Sequence, residues 1–218
     1  MKTLLTAINA KYIHSNLAVY SLKAYAEQHM ALNDDLSNEN IGIAEYTINQ
    51  QVDDILMDIY KKKPDILCFS CYLWNITYVE SIIIEIHKIL PETLIWVGGP
   101  EVSYHAEEFL GQHPEVTGVM KGEGEKTFLE LMEYYTSKKK EKSLQDTDGI
   151  SYRENSGAVI NHPWRPVMDL SEVPFVYNHM EDFENKIIYY ESSRGCPFSC
   201  SYCLSRLIRN CVFAILNW

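Results

Sequence analysis

The sequence predicts a doubly wound α/β domain on a five-stranded parallel sheet. Three observations predict it. Strand-like and helix-like segments alternate through the first 140 residues, two helical segments carry clean apolar stripes, and glycine turns follow the fourth and fifth strand-like runs. The 218 residues, 46% hydrophobic and 22% charged, suffice for one or two ordinary globular domains.

Lys2–Asn9 opens as a buried strand, and Ser15–His29 reads as a helix with Ser15 or Asn16 as its N-cap. Asn40–Thr47 is a second, weaker strand. Val52, Ile55, Leu56 and Ile59 then share one helical face, closed by Lys61–Lys63 and Pro64, since cations suit a helix C-terminus. Asp65–Cys71 is the third strand. Ile76, Val79, Ile83, Ile86 and Leu90 form a second stripe, stopped by Pro91. Thr93–Val97 runs into Gly98-Gly99-Pro100, and a short helix follows near Val102–Gly111. Val116–Lys121 is the fifth strand. Gly122-Glu123-Gly124-Glu125 then opens a helix carrying Phe128, Leu131, Met132 and Tyr135. The form is Rossmann-like, and ligands of such sheets bind at the strands' carboxyl ends, where strand order reverses.

Beyond this unit (1–140), Ser137–Asp146 reads as a surface loop or frayed helix end. Gly149–Arg153 and Ala158–Asn161 read as a hairpin, and Pro163–Pro174 as an ordered linker, making 141–185 a connecting region. Lys186–Glu191 is read as a new strand opening a further domain over 186–218.

The formal charge of -11 argues against nucleic-acid and anionic-membrane partners. No apolar run approaches the ~18 residues of a membrane span, and no signal-peptide pattern opens the chain, so a cytoplasmic location is expected. In that compartment clustered cysteines indicate metal or redox chemistry before disulfides. Cys196, Cys200 and Cys203 form C-x3-C-x2-C. Three thiolates in one tight loop suit an iron–sulfur cluster that keeps one iron open for a substrate or cofactor. Zinc is the other metal considered, and it would need a fourth ligand from Cys211 or a distant His. Cys68 and Cys71 alternate awkwardly along a strand for a shared metal and read as small buried residues.

The run ESSRGCPFSCSYC (Glu191–Cys203) resembles the cluster loop of the radical S-adenosylmethionine (SAM) superfamily, whose C-x3-C-x-aromatic-C pattern Cys196, Cys200, Tyr202 and Cys203 meet in full. The resemblance implies a [4Fe-4S] cluster on the three cysteines, SAM chelated at its open iron, and reductive cleavage to a 5′-deoxyadenosyl radical or methyl transfer. It also makes Lys186–Glu191 the first strand of a partial barrel. An α/β domain in front is similar to the cobalamin-dependent subfamily, with anaerobic magnesium-protoporphyrin IX monomethyl ester cyclase-like chains among its members. VGGPEVS (Val97–Ser103), GEGE (Gly122–Glu125), CFSCYLWN (Cys68–Asn75), NAKYIHSN (Asn9–Asn16) and PVMDLSEVPF (Pro166–Phe175) carry that likeness.

On these segments the resemblance implies cofactor contacts at Asn9, His14, Ser70, Cys71, Leu73, Gly98, Gly99, Glu101, Gly122, Glu123 and Tyr202. Gly98 and Gly99 suit close approach of a bulky ligand, although a plain turn is the other reading. The glycines before a helix N-terminus favour anionic groups, and the acidic residues there also suit the helix dipole. No D-x-H occurs, and the loop after the second strand is Tyr46-Thr47-Ile48-Asn49-Gln50, so a bound cobalamin would lack a protein His as lower ligand. His14 reads first as a surface residue.

Fifteen residues follow Cys203 (218 − 203), against roughly 150–200 needed to finish such a barrel, so the reading expects a C-terminally truncated chain that is inactive alone. Full-length relatives would methylate, cyclise or rearrange an organic substrate and draw electrons from a flavodoxin or ferredoxin. The alternative is a non-catalytic α/β small-molecule-binding module. Against it, no G-x-G-x-x-G follows the first strand, and no receiver-type acidic pocket is evident.

Overall fold

Buried strands separated by amphipathic helices close into three layers. The computed structural model describes residues 1–30, 40–136, 143–177, 180–198, 200–203 and 212–213. Strands β1 (Lys2–Asn9), β2 (Asn40–Thr47), β3 (Ile66–Ser70), β4 (Leu94–Gly98) and β5 (Gly118–Met120) are mutually parallel in the order β2-β1-β3-β4-β5. Order reverses between β1 and β3.

Each central strand divides its side chains by alternation. Leu4 and Ile8 of β1, Leu67 and Phe69 of β3, and Ile95 and Val97 of β4 face one layer. That layer is α2 (Val52–Lys62), α3 (Ile76–Ile89) and the short α4 (Pro100–Ser103) and α5 (Ala106–Gln112). Leu5 and Ala7, Ile66 and Cys68, and Trp96 face the other, made by α1 (Leu17–Met30) and α6 (Glu125–Thr136). The two predicted stripes are the buried faces of α2 and α3. The single helix expected near Val102–Gly111 is instead two, broken at Tyr104–His105.

The predicted hairpin exists as β6 (Ile150–Arg153) and β7 (Val159–Asn161), turning at Gly157, where φ is +86°. It does not stand apart. β6 pairs antiparallel with β5, so the parallel strands extend into one seven-stranded sheet. The free edge of β5 accepts it, because Gly118 leaves room there for the Trp96 ring. A Cβ on Gly118 would lie 2.4 Å from that ring and 2.9 Å from the Ser151 carbonyl.

Of the stretch Ser137–Asp146, residues 137–142 lie outside the described residues; Leu144–Asp146 is a 3₁₀ turn whose cap, Ser143, accepts from Gln145 N. The linker packs on the domain. Arg165 pairs with Glu130 at 2.5 Å, and Trp164 lies against Tyr104. Lys186–Glu191 does not form the expected strand. Among the described residues its one bridge is Ile187 with His14, and the ladder starts later, at β8 (Ser193–Arg194), antiparallel to β9 (Val212–Phe213). The reason is that the segment's polar bonds run to side chains and loops rather than to a neighbouring strand. Of the tail Arg206–Trp218, only the backbone of β9 is described. Among the described residues no helix is long and apolar enough to cross a membrane.

Candidate cofactor cavity at the carboxyl edge of the sheet

The reversal of strand order leaves the carboxyl ends of β1 and β3 uncovered by a shared crossover, and a cavity of about 600 Å³ opens beside them. Its floor is apolar, from Leu5, Cys68 and Met120, with Ser70 at its rim. Leu17, Ala18 and Leu22 of α1 form one wall. The turns at Gly98–Pro100 and Gly122–Glu125, with Tyr104 and Trp164, form another. Glu191 and Ser193–Gly195 close the remaining side. The segment that leads into the cysteine motif is therefore part of the cavity.

Local packing builds these turns. Gly99 sits at φ +109°, and a Cβ there would lie 2.4 Å from the Cys71 carbonyl. The demand for glycine comes from the adjoining strand's backbone, so the turn reading of this position holds on packing alone. Ser103 Oγ joins the two turns, donating to the Gly99 carbonyl at 2.7 Å and accepting from Gly122 N at 3.3 Å.

The wall at the start of α6 is acidic. Arg194 makes a bidentate pair with Glu125, donates from Nε to Glu191 at 2.9 Å, and lies 3.5 Å from Glu123. Burial works against the arginine's charge, but the Glu125 contacts outweigh it and hold its pKa above the usual value. Glu123 accepts from Met168 N at 2.8 Å, and burial pushes its pKa up. Its Oε1 is buried without a hydrogen-bond partner.

A second hub lies under the β1–α1 loop. Glu45 of β2 accepts from Asn9 Nδ2 (2.9 Å), Asn16 N (2.8 Å), Tyr20 Oη (2.7 Å) and Lys186 Nζ (2.6 Å). Burial alone would raise its pKa; these donors together bring it below the usual 4.5. Asn16 passes the network to the cavity by donating to Ser70 Oγ at 3.2 Å.

Of the residues expected to touch a cofactor, Ser70, Gly98, Gly99, Gly122 and Glu123 line the cavity. Asn9 does not. It is buried at the end of β1 and donates to the His14 carbonyl and to Glu45, so it shapes the loop. His14 bonds the Tyr189 hydroxyl through Nδ1 and lies outside the lining. Cys71 faces the opposite layer, fully buried, because it lies three positions beyond Cys68 and so points to the other face of the sheet. Burial raises both thiols, Cys68 to about 12, as expected of inert structural cysteines. Leu73, 79% exposed, Glu101, and Tyr202, 90% exposed, are not in the cavity lining.

Cys196 and Cys203 are half-buried and Cys200 is exposed. No group of three His, Cys, Asp or Glu side chains among the described residues is placed to hold a metal ion.

Sequence reasoning missed Glu45, Lys186, Glu125, Glu191 and Arg194. A charged residue within a strand, as Glu45 is, gives a weak signal. The Arg-Gly before the cysteines offers one only once its partner is known.

Comparison with known proteins agrees with this geometry. Residues 3–132 match the model of the B12 binding domain. An uncharacterized methyltransferase of Pyrococcus horikoshii is 33% identical over 162 residues, 71% of this chain and 34% of its own length. The cobalamin-dependent radical SAM methyltransferase TokK of Streptomyces tokunonensis is 30% identical over 151 residues, 65% of this chain and 22% of its own. The solved structure of the cobalamin-dependent SAM radical enzyme OxsB, with aqua-cobalamin and SAM bound, superposes with a TM-score of 0.78 at 21% identity. It covers 98% of this chain and 30% of its own, and shows a shared fold. The chain thus spans about a fifth to a third of the proteins it matches. With the domain match running from β1 through α6 and the cavity at the carboxyl edge of that same sheet, the chain belongs to the B12-binding domain family.

Proposed function

We propose that this chain holds cobalamin over the carboxyl edge of its sheet, as one part of a larger radical SAM enzyme that methylates, cyclises or rearranges an organic substrate. The observation that carries the reading is the cavity at the β1/β3 reversal, walled jointly by the glycine turns and by the segment entering the cysteine motif. An apolar floor beside polar walls suits part of a large cofactor with apolar ring faces and a polar periphery. Cobalamin would supply methyl transfer or electron mediation when bound. Ser70 would offer a hydroxyl already oriented by Asn16, Leu5 and Met120 would exclude water from the floor, and Gly98, Gly99 and Gly122 would form the turns beside the ligand. Among the described residues no His lines the cavity, and His14 is engaged by Tyr189, which supports a cobalamin held without a protein imidazole.

In the whole enzyme Cys196, Cys200 and Cys203 would bind the [4Fe-4S] cluster and SAM would follow, with a flavodoxin or ferredoxin as electron donor in the cytoplasm. A second reading, a non-catalytic small-molecule-binding module, draws on the three cysteines not being gathered.

Titration with hydroxocobalamin tests the first part. A visible spectral shift is expected, with thermal stabilisation of about 2.7 kcal/mol at a hundredfold excess over Kd. Neither appearing at high ligand would sink cobalamin binding. Anaerobic reconstitution of a full-length relative and of this chain with iron and sulfide separates the second part. Charge-transfer absorption in neither would leave the plain binding module.

A further inference from the structure

We propose that Arg194 is the positioning residue that docks the cysteine-bearing segment on the sheet domain and thereby makes that segment the closing wall of the cavity. Three carboxylates converge on it from two parts of the chain. Glu125 and Glu123 come from the start of α6 and its preceding turn, and Glu191 from the segment itself. Arg194 and Glu125 are nearly dry, with side chains 10% and 6% exposed. Among the described residues Arg194 is also the one cation in the cavity lining, against three acids. Without it, the start of α6 would hold buried, mutually repelling carboxylates, and the segment would lose its attachment next to the motif.

The side chain suits the role. A guanidinium presents five N–H groups in a fixed fork, and here Nη1 and Nη2 take both oxygens of Glu125 while Nε takes Glu191. An ammonium cannot span the same set. The partners lie 69 residues away in sequence for Glu125 and three for Glu191, so one residue fixes both the position of the segment and its local turn. Gly195 and Cys196 follow directly, which sets where the motif begins relative to the cavity.

The proposal rests on the cofactor reading in its affinity arm alone, and a second arm is free of it. Thiol-alkylation rates of Cys196, Cys200 and Cys203 are read by mass spectrometry on the full chain, for wild type, Arg194→Gln, Arg194→Lys, Arg194→Glu and the swap Arg194→Glu with Glu125→Arg. The expected result is faster alkylation of Cys196 and Cys203 relative to exposed Cys200 in Arg194→Gln and Arg194→Glu. Arg194→Lys should be intermediate, and the swap should return towards wild type, since it again sets one guanidinium among three carboxylates. Hydroxocobalamin affinity should fall on the order of 10-fold or more in Arg194→Glu and recover in the swap. Should Arg194→Glu not fold, Arg194→Gln carries both arms. Unchanged alkylation ratios in folded Arg194→Gln or Arg194→Glu would overturn the proposal. If no protein, wild type included, binds hydroxocobalamin while alkylation responds as expected, the docking role stands and the cofactor reading fails.

Discussion

The sheet domain and the segment from Lys186 to Cys203 are held by opposite means. The sheet is held by burial. Ile8, Ile55, Ile83, Trp96 and Phe128 have essentially no exposed surface, and its five parallel strands are paired through continuous ladders. The segment is held by polar clasps. Lys186 pairs with Glu45, Ile187 N donates to the Ile13 carbonyl at 2.6 Å, Ser15 Oγ donates to the Ile187 carbonyl at 3.0 Å, and Arg194 pairs with Glu125. Its own apolar residues, Ile187, Ile188, Tyr190, Phe198 and Tyr202, are exposed. Burial is many weak contacts shared over a layer, whereas a clasp concentrates its effect in one pair. Substitutions should therefore act globally in the first region and locally in the second.

Trp96→Ala should give the largest effect, about 4 kcal/mol by urea unfolding, since it empties a buried ring site against Gly118 and frees the Tyr135 hydroxyl that its Nε1 reaches at 3.1 Å. A loss under about 1 kcal/mol would mean that the layer repacks freely and that the contrast with the segment is false. Gly99→Ala should follow at about 3 kcal/mol, from a strained φ and the clash with the Cys71 carbonyl. It should also weaken hydroxocobalamin binding, because the turn lines the cavity. Unfolding curves identical to wild type would show that the turn relaxes.

Glu45→Ala tests a clasp. It leaves the Lys186 ammonium, 15% exposed, without its carboxylate, and deprives Asn9, Asn16 and Tyr20 of their acceptor. About 2 kcal/mol is expected, below the cost of breaking a fully buried pair. Amide exchange should rise first at 186–189 and in the β1–α1 loop, and uniform acceleration through β3 and β4 would break the local picture. The same carboxylate gives a pH signature. Its folded pKa lies below the usual 4.5, so its contribution is complete above that value and is lost as pH falls through the folded pKa. Exchange protection of 186–189 should be flat from neutral pH down to about 5 and weaken below 4.5. Glu45→Gln should abolish that step, and a step of unchanged size in this variant would assign it to another group.

The same contrast explains what could be read beforehand. Periodicity carries burial, so β1 to β5 and the faces of α2 and α3 were legible within a few residues. The joining of β6 to β5 was not, because it depends on which sheet edge is free and on room over Gly118, neither of which is a local pattern. At the cavity, the glycine turns were legible as turns. Glu45 with Lys186, and Glu125 with Arg194, lie 141 and 69 positions apart, and no spacing rule links them. Leu73, Glu101 and Tyr202 fall outside the cavity lining, and nearness to a motif in sequence does not specify which way a side chain faces at a loop.

Phe198→Ala should give the smallest effect and bears most directly on how the segment is held. The ring sits inside the cysteine motif, yet it is 71% exposed. If clasps alone hold the segment, removing this ring should change unfolding free energy by under about 0.5 kcal/mol, as for surface substitutions generally. Protection of 186–189 should not move either, since no clasp includes Phe198. Ile83→Ala, the paired control from the sheet, removes a fully buried side chain of the α3 layer and should cost about 3 kcal/mol. A loss above 1 kcal/mol for Phe198→Ala would mean that the ring finds apolar cover in solution, and the segment would then be held by burial, as the sheet is.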